Sequence, residues 1–376
     1  MGVPSGTAAL DRLSERVLDF IDRHAEATLD DGPGDGGAEF DALALEAFRF
    51  QYEHSPTYRA FCERRGRGPD RVRGWREIPA VPTTAFKSLD LACAPPQKTF
   101  LTSGTTQGRE TRGRHHVPRL ELYRRSALAH FRRMVLTDGM QPRIVGFLGG
   151  PEILPDSSLV QMVEWLRCDL GGEPAYLVDE DGFDAGRAAE RLEALAGEGR
   201  PLCLIGVRVV FTSFLEHCRR EGRAFSLPPD SRVVDTGGPK GGRALSDAGF
   251  LTASWHTLGV AGYYCVNEYG MTELCSQYYD DVLAERFAGT NRKRRKAGPA
   301  WLRARAVDPT TLEPVPDGEP GILCHVDLAN ALSVVAVQTE DVGVMEGRRF
   351  RLLGRAAGAE PRGCALALAD LLAGRP

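Results

Sequence analysis

Leu202-Cys203-Leu204-Ile205-Gly206-Val207 and Arg232-Val233-Val234-Asp235 are short apolar runs of strand length, and residues 211–220 between them read as a helix. The same alternation extends backwards. Residues 143–148 form a buried strand ending in Gly149-Gly150, 159–170 a helix, 175–178 a strand and 183–196 a helix. Strands separated by helices pair in parallel, so the pattern predicts a layered α/β core with a largely parallel sheet. Beyond Trp301 the runs become strand-like, with turns at Pro316-Asp317-Gly318-Glu319-Pro320-Gly321 and Glu346-Gly347, which predicts a β-rich closing portion. An Ala/Leu-rich stretch, 365–372, is expected to form a short terminal helix. Upstream, Leu10, Leu13, Val17, Leu18 and Ile21 place a helix over 8–29, followed by a Gly/Asp-rich break. Residues 40–64 read as helical with a break at Pro56, and Ile78-Pro-Ala-Val-Pro-Thr-Thr-Ala-Phe-Lys87 as extended, because proline pushes its predecessor out of helical space. Three portions follow: a helical one over 1–95, an α/β core over 96–300, to which the segments below assign nucleotide binding, and the β-rich portion over 301–376.

Composition narrows the function. A chain of 376 residues with 42% hydrophobic and 26% charged residues suits one large or two medium soluble domains. A net charge of −4 supplies no global field for nucleic acid or an anionic membrane, so neither is expected as a partner. Nine scattered cysteines without a CxxC pair argue for free thiols in a reducing cytoplasm. Charged residues throughout the first thirty positions exclude the apolar core of a signal peptide, and His325 and Asp327 interrupt the most apolar run, so no membrane insertion is expected. Lysine is scarce: Lys87, Lys98, Lys240, Lys293 and Lys296 are all there are.

Three segments carry chemistry. Thr102-Ser103-Gly104-Thr105-Thr106-Gln107-Gly108 groups small hydroxyls around glycines, and such a loop can wrap an anion with backbone N–H and side-chain O–H groups. It lacks the lysine of a Walker A loop. In Glu268-Tyr269-Gly270-Met271-Thr272-Glu273, a Tyr-Gly turn can present an aromatic face to a base while Thr272 and Glu273 face a phosphate and its Mg²⁺, for which a carboxylate is the right hard ligand. In Gln338-Thr339-Glu340-Asp341-Val342-Gly343, Asp341 can accept both hydroxyls of a ribose, and Arg355, in Leu353-Gly354-Arg355, can reach the same sugar or a phosphate. Other tempting features read as structural: His115 and His116 as loop residues, Cys265 and Cys275 as packing, and Arg292-Lys-Arg-Arg-Lys296 as a solvated loop.

Taken in this order, the three segments resemble the adenylate-forming superfamily of acyl-CoA synthetases. More narrowly, the chain resembles the LuxE-type acyl-protein synthetases through Ile78-Pro-Ala-Val-Pro with Phe86-Lys87, Arg114-His-His116, Gly298-Pro-Ala-Trp301 and Glu360-Pro-Arg-Gly-Cys-Ala-Leu366. The resemblance implies the large domain of an adenylate-forming ligase, ATP with Mg²⁺ at Glu273, and an adenine lined by the Gly237-Gly238 turn. It also implies a carboxylic acid substrate, by family default a fatty acid, and an acyl reductase or carrier protein as partner. Two departures stand out. Gln107 interrupts the phosphate loop, and the chain ends 21 residues after Arg355, so the mobile C-terminal domain and its adenylation lysine are expected to be missing. Lys87, Lys240 and Arg355 are the candidates to replace that cation.

Cys364 is the candidate acyl acceptor. Gly363 frees its backbone, Arg355 and Arg362 are near in sequence, and a helix is expected to begin there, all of which favour thiolate. The resemblance implies the same role for a cysteine in this segment. The expected reaction forms acyl-AMP and pyrophosphate and then an acyl thioester on Cys364. Two alternatives stay open: delivery of the acyl group to CoA, a carrier protein or an amine, or a non-catalytic subunit that binds nucleotide or acyl ligand in a reductase complex. Residues 147–162 and 207–215 are the apolar candidates to line an acyl pocket.

Overall fold

A computed structural model describes residues 6–27, 37–102, 112–238, 244–290 and 293–355. Helices α1 (Gly6–Arg23), α2 (Gly37–His54) and α3 (Pro56–Arg64) open it. Pro56 starts α3 rather than ending the run: Ser55 caps the helix by accepting a hydrogen bond from Tyr58 N, and proline suits the first turn, where its missing N–H is not needed. A two-residue strand, β1 (Val81–Pro82), precedes the hairpin strands β2 (Lys98–Leu101) and β3 (Arg114–Val117), and α4 (Leu120–Val135) follows. Then come β4 (Arg143–Gly149), α5 (Ser158–Asp169), β5 (Tyr176–Val178), α6 (Ala185–Gly197), β6 (Leu202–Val207), α7 (Arg208–Arg220), β7 (Arg232–Thr236), α8 (Asp247–Leu258) and β8 (Cys265–Tyr269). The described chain closes with β9 (Tyr278–Asp280), α9 (Val282–Phe287), β10 (Lys296–Ala297), β11 (Leu302–Val307), β12 (Pro320–Asp327), β13 (Ala336–Glu346) and β14 (Arg349–Arg355).

The chain divides into two compact units. One comprises Phe131–Gly270 and Tyr279–Arg294. Its strands lie in the order β8-β7-β6-β4-β5, every neighbouring pair parallel. The core of this unit packs α6, α7 and α8 residues against the sheet, with the Phe147 and Phe211 rings stacked at 4.3 Å. Both segments expected to line an acyl pocket therefore place their largest rings in the packed core.

The other unit joins Met1–His130, Met271–Tyr278 and Arg295–Pro376. Here β11, β12, β13, β14 and β10 are antiparallel neighbours, and β1 adds in parallel against Val337 and Gln338. Only Val81–Pro82 of the stretch expected to be extended pairs as a strand; Thr83–Lys87 coils into a 3-10 helix. No proline follows Pro82 to bar the helical region, so the constraint ends there.

The basic stretch before β11 is not a solvated loop. Arg294 donates to the carbonyl of Cys265 at 2.6 Å and pairs with Asp280 at 3.0 Å, and Lys296 is buried in β10. Long cationic stems can cover apolar surface while the head group finds a partner, which charge counting along the sequence cannot reveal. No described helix is long and apolar enough to cross a membrane. The helix expected over 365–372 lies outside the described residues.

Candidate functional site

The unit built from the chain ends carries Thr102, Thr272, Glu273, Asp341 and Arg355. Thr102 stands at the loop end of the β2–β3 hairpin. Its N–H donates to the Gly113 carbonyl at 2.9 Å, and its hydroxyl accepts from Gly113 N at 2.8 Å. The base of the expected phosphate loop is thereby closed, while Ser103, Gly104, Thr105, Thr106 and Gly108 lie outside the described residues. His115 and His116 belong to β3 and not to a loop. The buried His115 ring donates from Nδ1 to the Thr272 carbonyl at 2.7 Å, and its Nε2 lies 2.9 Å from the Ser333 hydroxyl. A carbonyl can only accept, so the proton sits on Nδ1; burial lowers the pKa to about 4 and keeps the ring neutral.

Several buried groups clamp the segment that bears Glu273. Asn330 donates to the Glu273 carbonyl at 2.8 Å. Asp327 accepts from Cys275 N at 3.0 Å and from the Ser276 hydroxyl at 2.7 Å. Gln51, on α2, donates to the carbonyls of Asn330 and Ala331 and accepts from Val335 N. With its backbone held on both sides, the Glu273 side chain is 7% exposed. Burial raises its pKa to about 7, while the Arg355 and Lys87 charges pull it down and Asp341 pushes it up. These four groups, among them Lys87, a candidate cation from sequence, thus share one electrostatic neighbourhood.

Asp341 and Arg355 are fourteen residues apart and meet because β13 and β14 form a hairpin in which they are direct cross-strand partners, with Arg355 Nε 3.5 Å from Asp341 Oδ1. Two irregularities shape this end of the hairpin. Between Gln338 and Val342, β13 takes four steps where β12 takes two from Cys324 to Ile322, a bulge of the kind that re-aims side chains. Thr339 ties the bulge down by accepting from Asp341 N at 3.0 Å and donating to the Leu323 carbonyl at 2.9 Å. Opposite it, Gly354 has φ of 124°, a conformation that residues with a Cβ avoid, which accounts for the glycine before Arg355.

The parallel unit carries Gly237, Gly238, Tyr269 and Gly270, at the carboxyl ends of β7 and β8, the edge where open α/β sheets bind ligands. Gly237 takes φ of 83°. The turn is held from beneath by Asn267, whose side-chain amide donates to the Gly237 carbonyl at 3.0 Å and to Asp235 at 2.8 Å. Asp235 in turn forms a buried pair with Arg208, at 2.5 Å. Thr236 donates its hydroxyl to the buried Glu268 carboxylate. Cys265 and Cys275 are buried packing residues, their thiols pushed up by loss of solvent, Cys265 to about 12. Cys364 lies outside the described residues.

Sequence reading missed Gln51, Asn267, Asn330, Asp235 and Arg208 because each lies outside the motifs or supports them from another strand or helix. Asp235 had one usable signal, a carboxylate directly after the apolar pair Val233-Val234 of a strand; Asn267, in the middle of β8, had none.

The profile of the family described as acyl-protein synthetase, LuxE matches residues 37–373. The chain is 24% identical over 348 residues to the long-chain-fatty-acid–luciferin-component ligase of Aliivibrio fischeri, covering 88% of each chain. The ligase of the same name from Vibrio harveyi is 23% identical over 341 residues, 87% of this chain and 86% of that one. Among solved structures, an open conformation of 2-hydroxyisobutyryl-CoA ligase in complex with 2-HIB-AMP and CoA superposes with a TM-score of 0.58 at 17% identity, covering 85% of this chain and 70% of that chain. That likeness shows the adenylate-forming ligase fold. The match over nearly all of the chain places this protein in the LuxE acyl-protein synthetase family, ligases that activate an acyl group and transfer it.

Proposed function

We propose that this ligase uses ATP to activate a fatty acid and passes the acyl group through Cys364 to a partner acyl reductase in the cytoplasm. The carboxylate oxygen attacks the α-phosphorus, pyrophosphate leaves and acyl-AMP forms. The Cys364 thiol, having lost its proton to solvent, then attacks the acyl carbonyl, AMP leaves and a thioester remains. The observation that carries the reading is the buried Glu273 carboxylate in the field of Asp341, Arg355 and Lys87, in a member of this family.

Asp341 is assigned to the ribose hydroxyls and Arg355, its cross-strand partner, to the sugar or α-phosphate. The Thr102–Gly108 loop is assigned to the phosphates, and Gly237, Gly238, Tyr269 and Gly270 to the adenine. Lys87 and Arg355 are the described candidates for the cation that offsets charge on the α-phosphate. The donor set fits Mg²⁺. The described residues contain no cluster of three or more His, Cys, Asp or Glu placed to hold a metal, and one hard carboxylate suits an ion held mainly by substrate phosphates and water. Bound there, Mg²⁺ would neutralise phosphate charge beside Glu273. All eight described cysteines are free, which supports a reducing compartment.

Intact-protein mass after incubation with MgATP and a panel of fatty acids tests the proposal. An acyl-sized, hydroxylamine-labile increase on wild type that is absent from Cys364→Ala is expected. Acid-dependent pyrophosphate release without any adduct would move the acceptor off this chain, and neither signal with any acid would sink the ligase reading.

A further inference from the structure

A cavity of about 730 Å³ lies wholly within the unit built from the chain ends, and neither Lys87, Glu273, Asp341 nor Arg355 lines it. Its volume is that of a small-molecule site. Four arginines, Arg65, Arg67, Arg76 and Arg305, line it against two glutamates, Glu77 and Glu313, so the lining carries two positive charges in excess. Glu77 is already engaged by the backbone N–H of Arg73 at 2.7 Å. Arg305 rises from β11 into the wall, and its Nη groups donate to the carbonyls of Trp75, Arg76 and Ile78, at the end of the 3-10 turn Trp75–Glu77. No carboxylate pairs with it among the described residues, and its Nε is buried without a hydrogen-bond partner. Three backbone carbonyls and the Cys324 side chain satisfy part of its donor set, but none of them carries the counter-charge that an entering anion would supply. Arg67 and Arg76 are exposed at the rim, and Arg76 lies over the Trp75 ring at 4.4 Å, which presets its direction. Leu312, also in the lining, takes φ of 60° in the turn that its N–H closes on the Asp308 carbonyl at 3.0 Å.

We infer that this cavity binds a small organic phosphate monoester. The charge argument selects the class: a monoester is close to dianionic at neutral pH and matches the two excess charges, whereas a carboxylate or sulfonate supplies one. Guanidinium forks fit phosphate oxygens in pairs. Ile78, Pro79 and Val307 give an apolar wall for the organic body, which inorganic phosphate would leave uncovered.

Calorimetric titration of the full chain with phenyl phosphate, benzenesulfonate and inorganic phosphate tests the inference, with ATP present and Mg²⁺ and carboxylic acid omitted. The comparison variant is Arg67→Gln/Arg76→Gln, whose changes are exposed at the rim, with its fold checked by urea unfolding. Phenyl phosphate is expected to bind about tenfold more tightly than either other ion, and about tenfold more weakly to the variant, the effect of losing a charge-assisted hydrogen bond. Equal binding to wild type and variant, no binding at all, binding lost when ATP is present, or inorganic phosphate binding as tightly as the ester would each overturn it.

Discussion

The two units treat buried charge in opposite ways. In the parallel unit a buried ion comes with a counter-ion: Arg208 pairs with Asp235 and Asp247, Arg232 with Asp138, and Arg294 with Asp280. In the unit built from the chain ends four buried groups are instead pushed toward neutrality. His115 and His325 have pKa values lowered to about 4 and about 3, while Asp327 and Glu273 are raised to about 6 and about 7. Paired ions fix a scaffold, whereas groups poised near neutrality respond to an arriving ligand charge. Under the proposed function, the antiparallel unit is then the one in which the chemistry is tuned.

Each side of that contrast can be broken separately. The largest effect is expected from Arg208→Met, which strands the Asp235 carboxylate; about 3–5 kcal/mol of stability should be lost in urea unfolding. Unchanged stability would mean that the pair does not hold the sheet. Acid comes next. His115 and His325 have folded pKa values below the ordinary 6.5, so the native state binds fewer protons than the unfolded chain as pH falls. Their stabilisation is complete above about pH 6.5 and declines toward pH 4, by about 2 kcal/mol for each ring at pH 5. Urea midpoints at pH 7 and pH 5 should therefore converge in His325→Asn relative to wild type.

Smaller effects fall on the ligase reaction. Asp341→Asn should raise KM for ATP about tenfold through loss of a charged acceptor, with pyrophosphate release as the assay. An unaltered KM would remove Asp341 from the nucleotide site. The smallest effect is a pH dependence. Glu273 ionises near pH 7, so the affinity for MgATP should rise about threefold from pH 6.5 to 7.5, and Glu273→Gln should flatten the profile. A slope that survives the substitution would assign it to another group.

Legibility followed the same division. From β4 to β7 the strands and helices of the parallel unit were readable because each is a local apolar run bounded by a turn, and the 202–207 strand runs over the residues expected, whereas α8 and β8 were not read. Gly354 and Arg355 were readable as a motif, but the reason for the glycine, a φ of 124° opposite a bulge in β13, belongs to the folded hairpin. His115 was misread as a loop residue because its partners, Thr272 and Ser333, lie 157 and 218 positions away, and His116 because Thr99 and Asp90 meet it only across the folded hairpin and the chain before it. Arg294 and Lys296 were misread for the same reason: a basic run looks solvated until its carbonyl and carboxylate partners are known.

By itself, then, the sequence determined the α/β class, the order of the elements from β4 to β7 and the acyl-protein synthetase resemblance, because periodicity and motif chemistry act over a few neighbouring residues. Only the tertiary structure decided that the first and last parts of the chain build one unit, that Asp341 faces Arg355, and that Glu273 titrates near neutrality. Those outcomes depend on which distant groups exclude water from one another, and desolvation is a property of packed surfaces that no local stretch of sequence encodes.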